Sequence, residues 1–164
     1  MRKNIIYTIC FCLISFVGYT QNKKVIKSAK AFYKLTLPGM IKVNGNGQQI
    51  TPTPSRERFI YIETFGKAKP ILQKITYDAL VYSFSLSNDD STKTEIGIEP
   101  QSGKKIYLQP SKGNKLWKIY LVLKTGKENT TQKAKLITIK GIQNDAPFMY
   151  LIKNETELVA PESQ

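Results

Sequence analysis

The sequence predicts an all-β fold: an antiparallel β-sandwich of immunoglobulin-like architecture, with a closed β-barrel as the alternative. Short runs of alternating apolar and polar residues recur along the chain, spaced about a dozen residues apart. Gly, Pro, Asn and Asp separate these runs, and no stretch has the period of a convincing amphipathic helix. Short strands at regular spacing are typical of sandwiches and barrels.

The first twenty residues predict a secretory signal peptide. Arg2 and Lys3 precede an uncharged apolar run over residues 5–17, and small residues stand third and first before Gln21. The apolar run is shorter than the roughly 20 residues that a membrane-spanning helix needs. We therefore expect an exported bacterial protein, periplasmic or extracellular, with no transmembrane span in the mature chain.

The mature chain, residues 21–164, has the length of about one domain and can bury a hydrophobic core. We expect residues 21–30 to form a flexible basic arm or a single helical turn. The last residues, 158–164, are expected to be a frayed tail.

The strands are predicted in chain order from alternation and from the turn residues that bound them. Asn44–Gly47 and the Asp78–Ala79 pair predict hairpin turns, and the prolines of residues 51–54 fit an edge or a loop. The predicted strands are 31–37, 40–43, 58–65, 70–77, 80–87, 93–99, 104–109, 115–124, 133–140 and 147–153.

The strand at 58–65 has two apolar faces. Phe59 and Tyr61 point to one side, and Ile60 and Ile62 point to the other. This pattern predicts a strand that is covered on both sides, with residues 59–62 in the core.

Arg56 and Arg58 stand at the entrance to this strand and are the only arginines of the predicted mature chain. Their position predicts that they reach solvent, and a guanidinium group is suited to bidentate contact with a carboxylate or a phosphate. Both are candidate ligand-binding residues. The alternative is a structural ion pair between Arg58 and a carboxylate such as Glu57 or Glu95.

Lysine and tyrosine alternate with apolar residues in the strand at 115–124. Lys118 and Tyr120 share the face opposite Trp117, and on an exposed sheet they would join Lys104 and Tyr107 of the preceding strand. Lysine with aromatic rings on a sheet face can hold a sugar polymer or a single-stranded nucleic acid. These four residues are candidate ligand-binding residues, and an ordinary half-buried sheet face is the alternative.

The chain is strongly basic, with a formal net charge of +13, or about +11 without the signal peptide. Such a charge attracts polyanions, and we expect an acidic polysaccharide or lipid headgroups rather than nucleic acid, or else another envelope protein. All but three of the 25 basic residues are lysines, spread along the whole chain. Dispersed, solvated lysine is therefore the competing interpretation.

The residue types present exclude several chemistries. The chain has no histidine, and both cysteines lie inside the predicted signal peptide. Cys–His and Ser–His–Asp catalysis and ordinary zinc, copper or haem ligation are thus excluded, and we expect no catalytic residue, metal site or cofactor.

These observations favour a non-enzymatic binding or accessory protein of the bacterial envelope, acting through a sheet face or an edge strand. One alternative is a structural subunit of a surface assembly such as a pilus. Another is a hydrolase that uses two carboxylates brought together in space, although no local pattern among the twelve acidic residues nominates a catalytic pair.

Overall fold

The computed structural model describes residues 25–36, 42–47, 49–50, 55–78, 80–124, 134–143 and 145–159, so the predicted signal peptide and the loop at 51–54 lie outside the described residues. These ranges contain strands and turns only, so no helix within them is long and apolar enough to cross a bilayer. The all-β prediction is confirmed. The strands are β1 (Ile26–Thr36), β2 (Lys42–Val43), β3 (Gln49–Ile50), β4 (Ser55–Thr64), β5 (Ile71–Tyr77), β6 (Leu80–Asp89), β7 (Thr94–Ile98), β8 (Lys105–Leu108), β9 (Lys115–Leu123), β10 (Ile137–Gln143), β11 (Ala146–Ile152) and β12 (Glu155–Leu158).

Eight of these strands form one sheet in the order β11-β10-β5-β6-β9-β4-β1-β12. Neighbouring strands are antiparallel except for β1 and β12, which are parallel, so the sheet is mixed. It curls strongly into a half-barrel. The β7–β8 hairpin is separate from this sheet, and β2 and β3 pair across the predicted turn at Asn44–Gly47.

The curl follows from how the last two strands are connected. β11 and β12 lie at opposite ends of the sheet, but only Lys153 and Asn154 separate them in sequence. Consecutive Cα atoms are 3.8 Å apart, so Ile152 and Glu155 can be separated by no more than about 11 Å. The ends of a flat eight-stranded sheet would be roughly 33 Å apart. The two end strands therefore approach each other, which explains why one curled sheet forms where two stacked sheets were expected.

Two terminal predictions differ from the structure. Residues 26–30, expected in a flexible arm, belong to β1, because Ile26 packs into the core and the strand pairs with β4. Leu158, expected in the frayed tail, is buried in β12, and Val159 exchanges two backbone hydrogen bonds with Ile98 of β7. Residues 160–164 lie outside the described residues.

The inner side of the curl holds the main hydrophobic core. Side chains from seven strands meet there, including Ile60, Ile75, Trp117, Ile119 and Ile139. Because they converge from around the curled sheet, this side is the concave one. We call this set the concave core.

A second core lies on the convex side, where the β7–β8 hairpin covers part of the sheet. Ile96 and Leu108 of the hairpin pack against Phe32, Phe59 and residues of β9 and β12. Both faces of β4 are consequently buried, and the predicted burial of residues 59–62 is confirmed.

Candidate functional site

The hairpin covers only one half of the convex side, over β1, β4, β12 and the start of β9. On the other half the outward side chains of five adjacent strands have no layer over them within the described part of the chain. We call this surface the open face. Its outward residues are Ile71, Lys74 and Thr76 of β5, Val81, Ser83, Ser85 and Ser87 of β6, Lys118, Tyr120 and Val122 of β9, Thr138, Lys140 and Ile142 of β10, and Pro147, Met149 and Leu151 of β11.

Several apolar side chains of the open face are exposed to solvent. The exposed fractions are 68% for Val122, 64% for Ile71 and 61% for Met149. Isolated exposed apolar residues are ordinary, but several on one face are more often an interaction surface. Met149 and its neighbour Leu151 lie on β11, whose sole strand neighbour in the described sheet is β10.

Lys118 and Tyr120 lie together on the open face, as the sequence predicted. The Lys118 Nζ atom is 4.4 Å from the centre of the Tyr120 ring and 4.9 Å from that of Phe59. Trp117 and Ile119 point to the concave core instead, which confirms the predicted alternation. These cation–π contacts hold the ammonium group close to the sheet, with the Tyr120 ring 42% exposed beside it.

Lys104 and Tyr107 are not part of the open face. β8 pairs with β7 and not with β9, so these two residues do not lie on a strand next to Lys118. Lys104 is exposed at the hairpin turn, whereas the Tyr107 hydroxyl donates to Glu95 Oε2 at 2.9 Å. That hydrogen bond raises the pKa of Tyr107.

A polar cleft of about 240 Å³ separates Tyr107 from β1, β4 and β9, with Lys30, Tyr61 and Glu63 in its lining. The Glu63 carboxylate accepts hydrogen bonds from Asn114 Nδ2 at 2.7 Å and from the Ser111 N–H at 2.8 Å, besides donors on β1. Burial alone would raise the pKa of Glu63, but these hydrogen bonds outweigh it and lower the pKa to about 2. The carboxylate thus fixes the loop after β8, and the cleft is smaller than the usual ligand pocket of roughly 300–1,000 Å³.

Arg56 and Arg58 do not reach solvent as predicted. Their side chains are 3% and 4% exposed, because both residues lie on the same face of β4 as Ile60, which points to the concave side. Arg58 pairs with a carboxylate, but the partner is Glu155 of β12 and neither Glu57 nor Glu95. Neither guanidinium group is exposed, so the prediction that Arg56 and Arg58 bind a ligand at the surface is not supported.

The ion cluster around Glu155 joins β4 to β12. Arg58 donates through Nε to Glu155 Oε2 at 2.9 Å and through Nη2 to Oε1 at 3.1 Å, and Arg56 Nη1 lies 3.5 Å from Oε1. The Ala134 N–H donates to the same Oε1 at 2.8 Å. Arg58 Nη1 also donates to the Tyr82 hydroxyl at 2.8 Å. A buried carboxylate with this many donors is a structural element of the closing strand.

The surroundings of Arg58 set its protonation state and that of the two tyrosines beside it. Burial disfavours the charged form of Arg58, but hydrogen bonding and attraction to Glu155 outweigh it and raise the pKa of Arg58. Burial raises the pKa of Tyr77 and of Tyr82, which both pack against the Arg58 guanidinium. Arg58, Tyr77 and Tyr82 therefore keep their charge states near neutral pH, which argues against an acid–base role for these three side chains.

Within the described residues, no three His, Cys, Asp or Glu side chains group together as a metal site would require. Comparisons of the chain with protein-family models, with curated proteins and with solved structures give no significant match.

Sequence reasoning missed Lys74, Lys140 and the apolar residues of β11 as surface candidates. β5 and β10 did carry a signal, a lysine at an outward position next to a buried isoleucine, as in the stretches QKITY and ITIKG. What the sequence did not contain was the strand order that places β5 beside β10.

Proposed function

We propose that this protein is an exported, non-enzymatic binding or accessory protein of the bacterial envelope, and that it acts through the open face and its edge strand β11. The observation that carries the proposal is the uneven cover of the convex side. The hairpin buries Phe32 and Phe59 on one half, while the other half leaves Ile71, Val122 and Met149 more than half exposed. A fold that covers only half of an apolar-bearing face leaves the other half available to a partner.

The other candidate surfaces support a binding role less well. The arginines are held by Glu155, and Glu63 is saturated by its own hydrogen bonds. Neither carboxylate is available as one of the two acidic groups that glycoside hydrolysis needs. A binding protein is accordingly favoured over the carboxylate-dependent hydrolase.

In the finer classification of the fold, we favour a barrel-like description over an antiparallel sandwich with immunoglobulin-like architecture. The short link between β11 and β12 supports it. These two end strands follow each other directly in the chain, so the single sheet must curl to bring them close together. Export follows from the predicted signal peptide and is part of the proposal.

Site-specific photo-crosslinking in the native host tests the binding role. A photo-reactive residue is placed at Val122 or Met149, and at Ser102 in the exposed hairpin turn as the matched control. We expect an adduct at Val122 and at Met149, a single band for a protein partner or a broad smear for a polymer, and none at Ser102. Equal adducts at all three positions, or none at any, would contradict the proposal. An adduct of twice the protein's mass would instead support a self-assembling structural subunit, which uses the one-sided edge strand β11.

A further inference from the structure

We propose that the open face binds an acidic polysaccharide, with Lys74, Lys140 and Lys118 contacting its anionic groups and Tyr120 stacking on a sugar ring. This inference rests on the proposed binding function and names its ligand class.

Two lysines lie directly opposite each other in the middle of the open face. Lys74 of β5 is the register partner of Lys140 of β10, and both are exposed. Like charges at directly opposed positions of an antiparallel pair are destabilising. An anionic ligand that bridges the two ammonium groups would convert this repulsion into attraction for both.

No acidic side chain of the surrounding strands neutralises this pair. The strands β5, β9, β10 and β11 contain neither Asp nor Glu, and β6 contains only Asp89, at its last position. The Asp89 carboxylate accepts from the Thr94 hydroxyl at 2.7 Å, and Asp89 is opposite Leu116, away from Lys74. Within these five strands the positive charge of the open face is consequently not compensated, and an anionic partner is complementary to it.

Between the lysines, the open face presents hydroxyl groups in regular rows. Ser83, Ser85 and Ser87 are the outward residues of β6, and the last two are opposite Tyr120 and Lys118 of β9. Lys118 lies two strands from Lys74, about 10 Å between strand axes, and four residues further along the strand direction, roughly 13 Å. Each of these groups suits one part of an acidic sugar chain. The serine hydroxyls can exchange hydrogen bonds with sugar hydroxyls, the lysines can bind the anionic groups, and the exposed Tyr120 ring can pack against the C–H face of a sugar.

The same features favour a polysaccharide over other polyanions. Nucleic acid binding relies on rows of aromatic platforms and on guanidinium groups, but Tyr120 is the one aromatic residue among the outward positions of the open face, and Arg56 and Arg58 are buried. A convex surface touches a flat lipid layer only along a narrow strip. A flexible sugar chain can follow the curvature across several strands.

Titration calorimetry with three polymers tests the inference: polygalacturonate, which is carboxylated, heparin, which is sulphated, and neutral dextran. The protein is compared with the double variant Lys74→Gln/Lys140→Gln. The matched control is Lys104→Gln/Lys112→Gln, which removes the same charge from two exposed turns on the hairpin side. All four positions are exposed, so circular dichroism is expected to show an unchanged fold for both variants.

We expect one or both acidic polymers to bind and dextran not to bind. The open-face variant should lose roughly tenfold or more in affinity, and its slope of log K against log salt should fall by about 2, one for each lost contact. The control variant should keep its affinity. Equal losses in the two variants would mean dispersed charge, and absence of binding to both acidic polymers would overturn the inference. A defined protein adduct at Val122 with no polymer binding would leave the proposed function standing and refute only the polysaccharide.

Discussion

Replacing Glu155 with leucine tests how the curled sheet is held together. The Glu155 side chain is fully buried, accepts hydrogen bonds twice from Arg58 and once from the Ala134 N–H, and forms an ion pair with Arg56. Glu155 belongs to the end strand β12, and its carboxylate binds arginines of β4. The substitution should therefore weaken the attachment of the whole of β12 and not only one contact.

The expected magnitude follows from the burial of the partners. Removing one partner of a buried ion pair costs about 3–5 kcal/mol, because the remaining charge has no compensation. Leaving the buried Ala134 N–H without an acceptor adds to this loss. For a domain whose stability is of the order of 5–15 kcal/mol, the variant should retain only a small margin.

Urea unfolding measures this loss, and Trp117, the one tryptophan of the chain, is its fluorescent reporter. Its ring is buried, and its Nε1 donates to Thr64 Oγ1 at 3.0 Å, so the signal follows the concave core. With a slope of about 2 kcal/mol per molar urea, a loss of 3 kcal/mol moves the midpoint by roughly 1.5 M.

Two further variants sharpen the result. Glu157→Gln removes the charge of a half-buried carboxylate that accepts from the Tyr33 hydroxyl, and should cost about 1 kcal/mol. Adding Arg58→Met to Glu155→Leu should recover part of the loss, because one of the two buried guanidinium groups that lost the carboxylate is then gone. A loss below about 1 kcal/mol for Glu155→Leu would refute the reasoning.

Two other predictions concern stability. The pKa of Glu63 is lowered to about 2 from its ordinary value of 4.5 by donors such as Asn114, so its carboxylate stabilises the fold above pH 4.5 and this contribution is lost as the pH falls towards 2. Acid titration of the unfolding midpoint should show this loss in the natural chain and not in Glu63→Gln. Separately, Gly141→Ala should destabilise by roughly 1–3 kcal/mol, since its Cβ would lie 2.4 Å from the Ile71 carbonyl oxygen. The control Gly45→Ala, whose Cβ meets nothing within 4 Å, should leave the melting temperature almost unchanged.

The sequence was sufficient for features that depend on local alternation. Residues 59–62 were predicted to be buried because both faces of the strand are apolar, and Lys118 and Tyr120 were predicted to share a face opposite Trp117. Both results follow from the two-residue period of a strand, which needs no knowledge of its neighbours.

Features that depend on distant pairing could not be predicted. The same alternation does not show that the side of Arg58 is the inside of a curl, because its partner Glu155 is 97 residues away. For the same reason, the sequence does not show that Lys74 and Lys140 are directly opposite each other, because this depends on the pairing of β5 with β10. Each lysine alone resembles ordinary solvated charge, and only the register makes the two a candidate site.

Nuclear magnetic resonance mapping with a defined oligogalacturonide tests the central claim, that the open face is the binding surface, most directly. We predict that the backbone amide signals of Lys74, Ser83, Tyr120 and Lys140 shift together and saturate at one ligand concentration, while those around Lys104 stay in place. Shifts centred on the hairpin, or small shifts scattered over every exposed lysine, would contradict it.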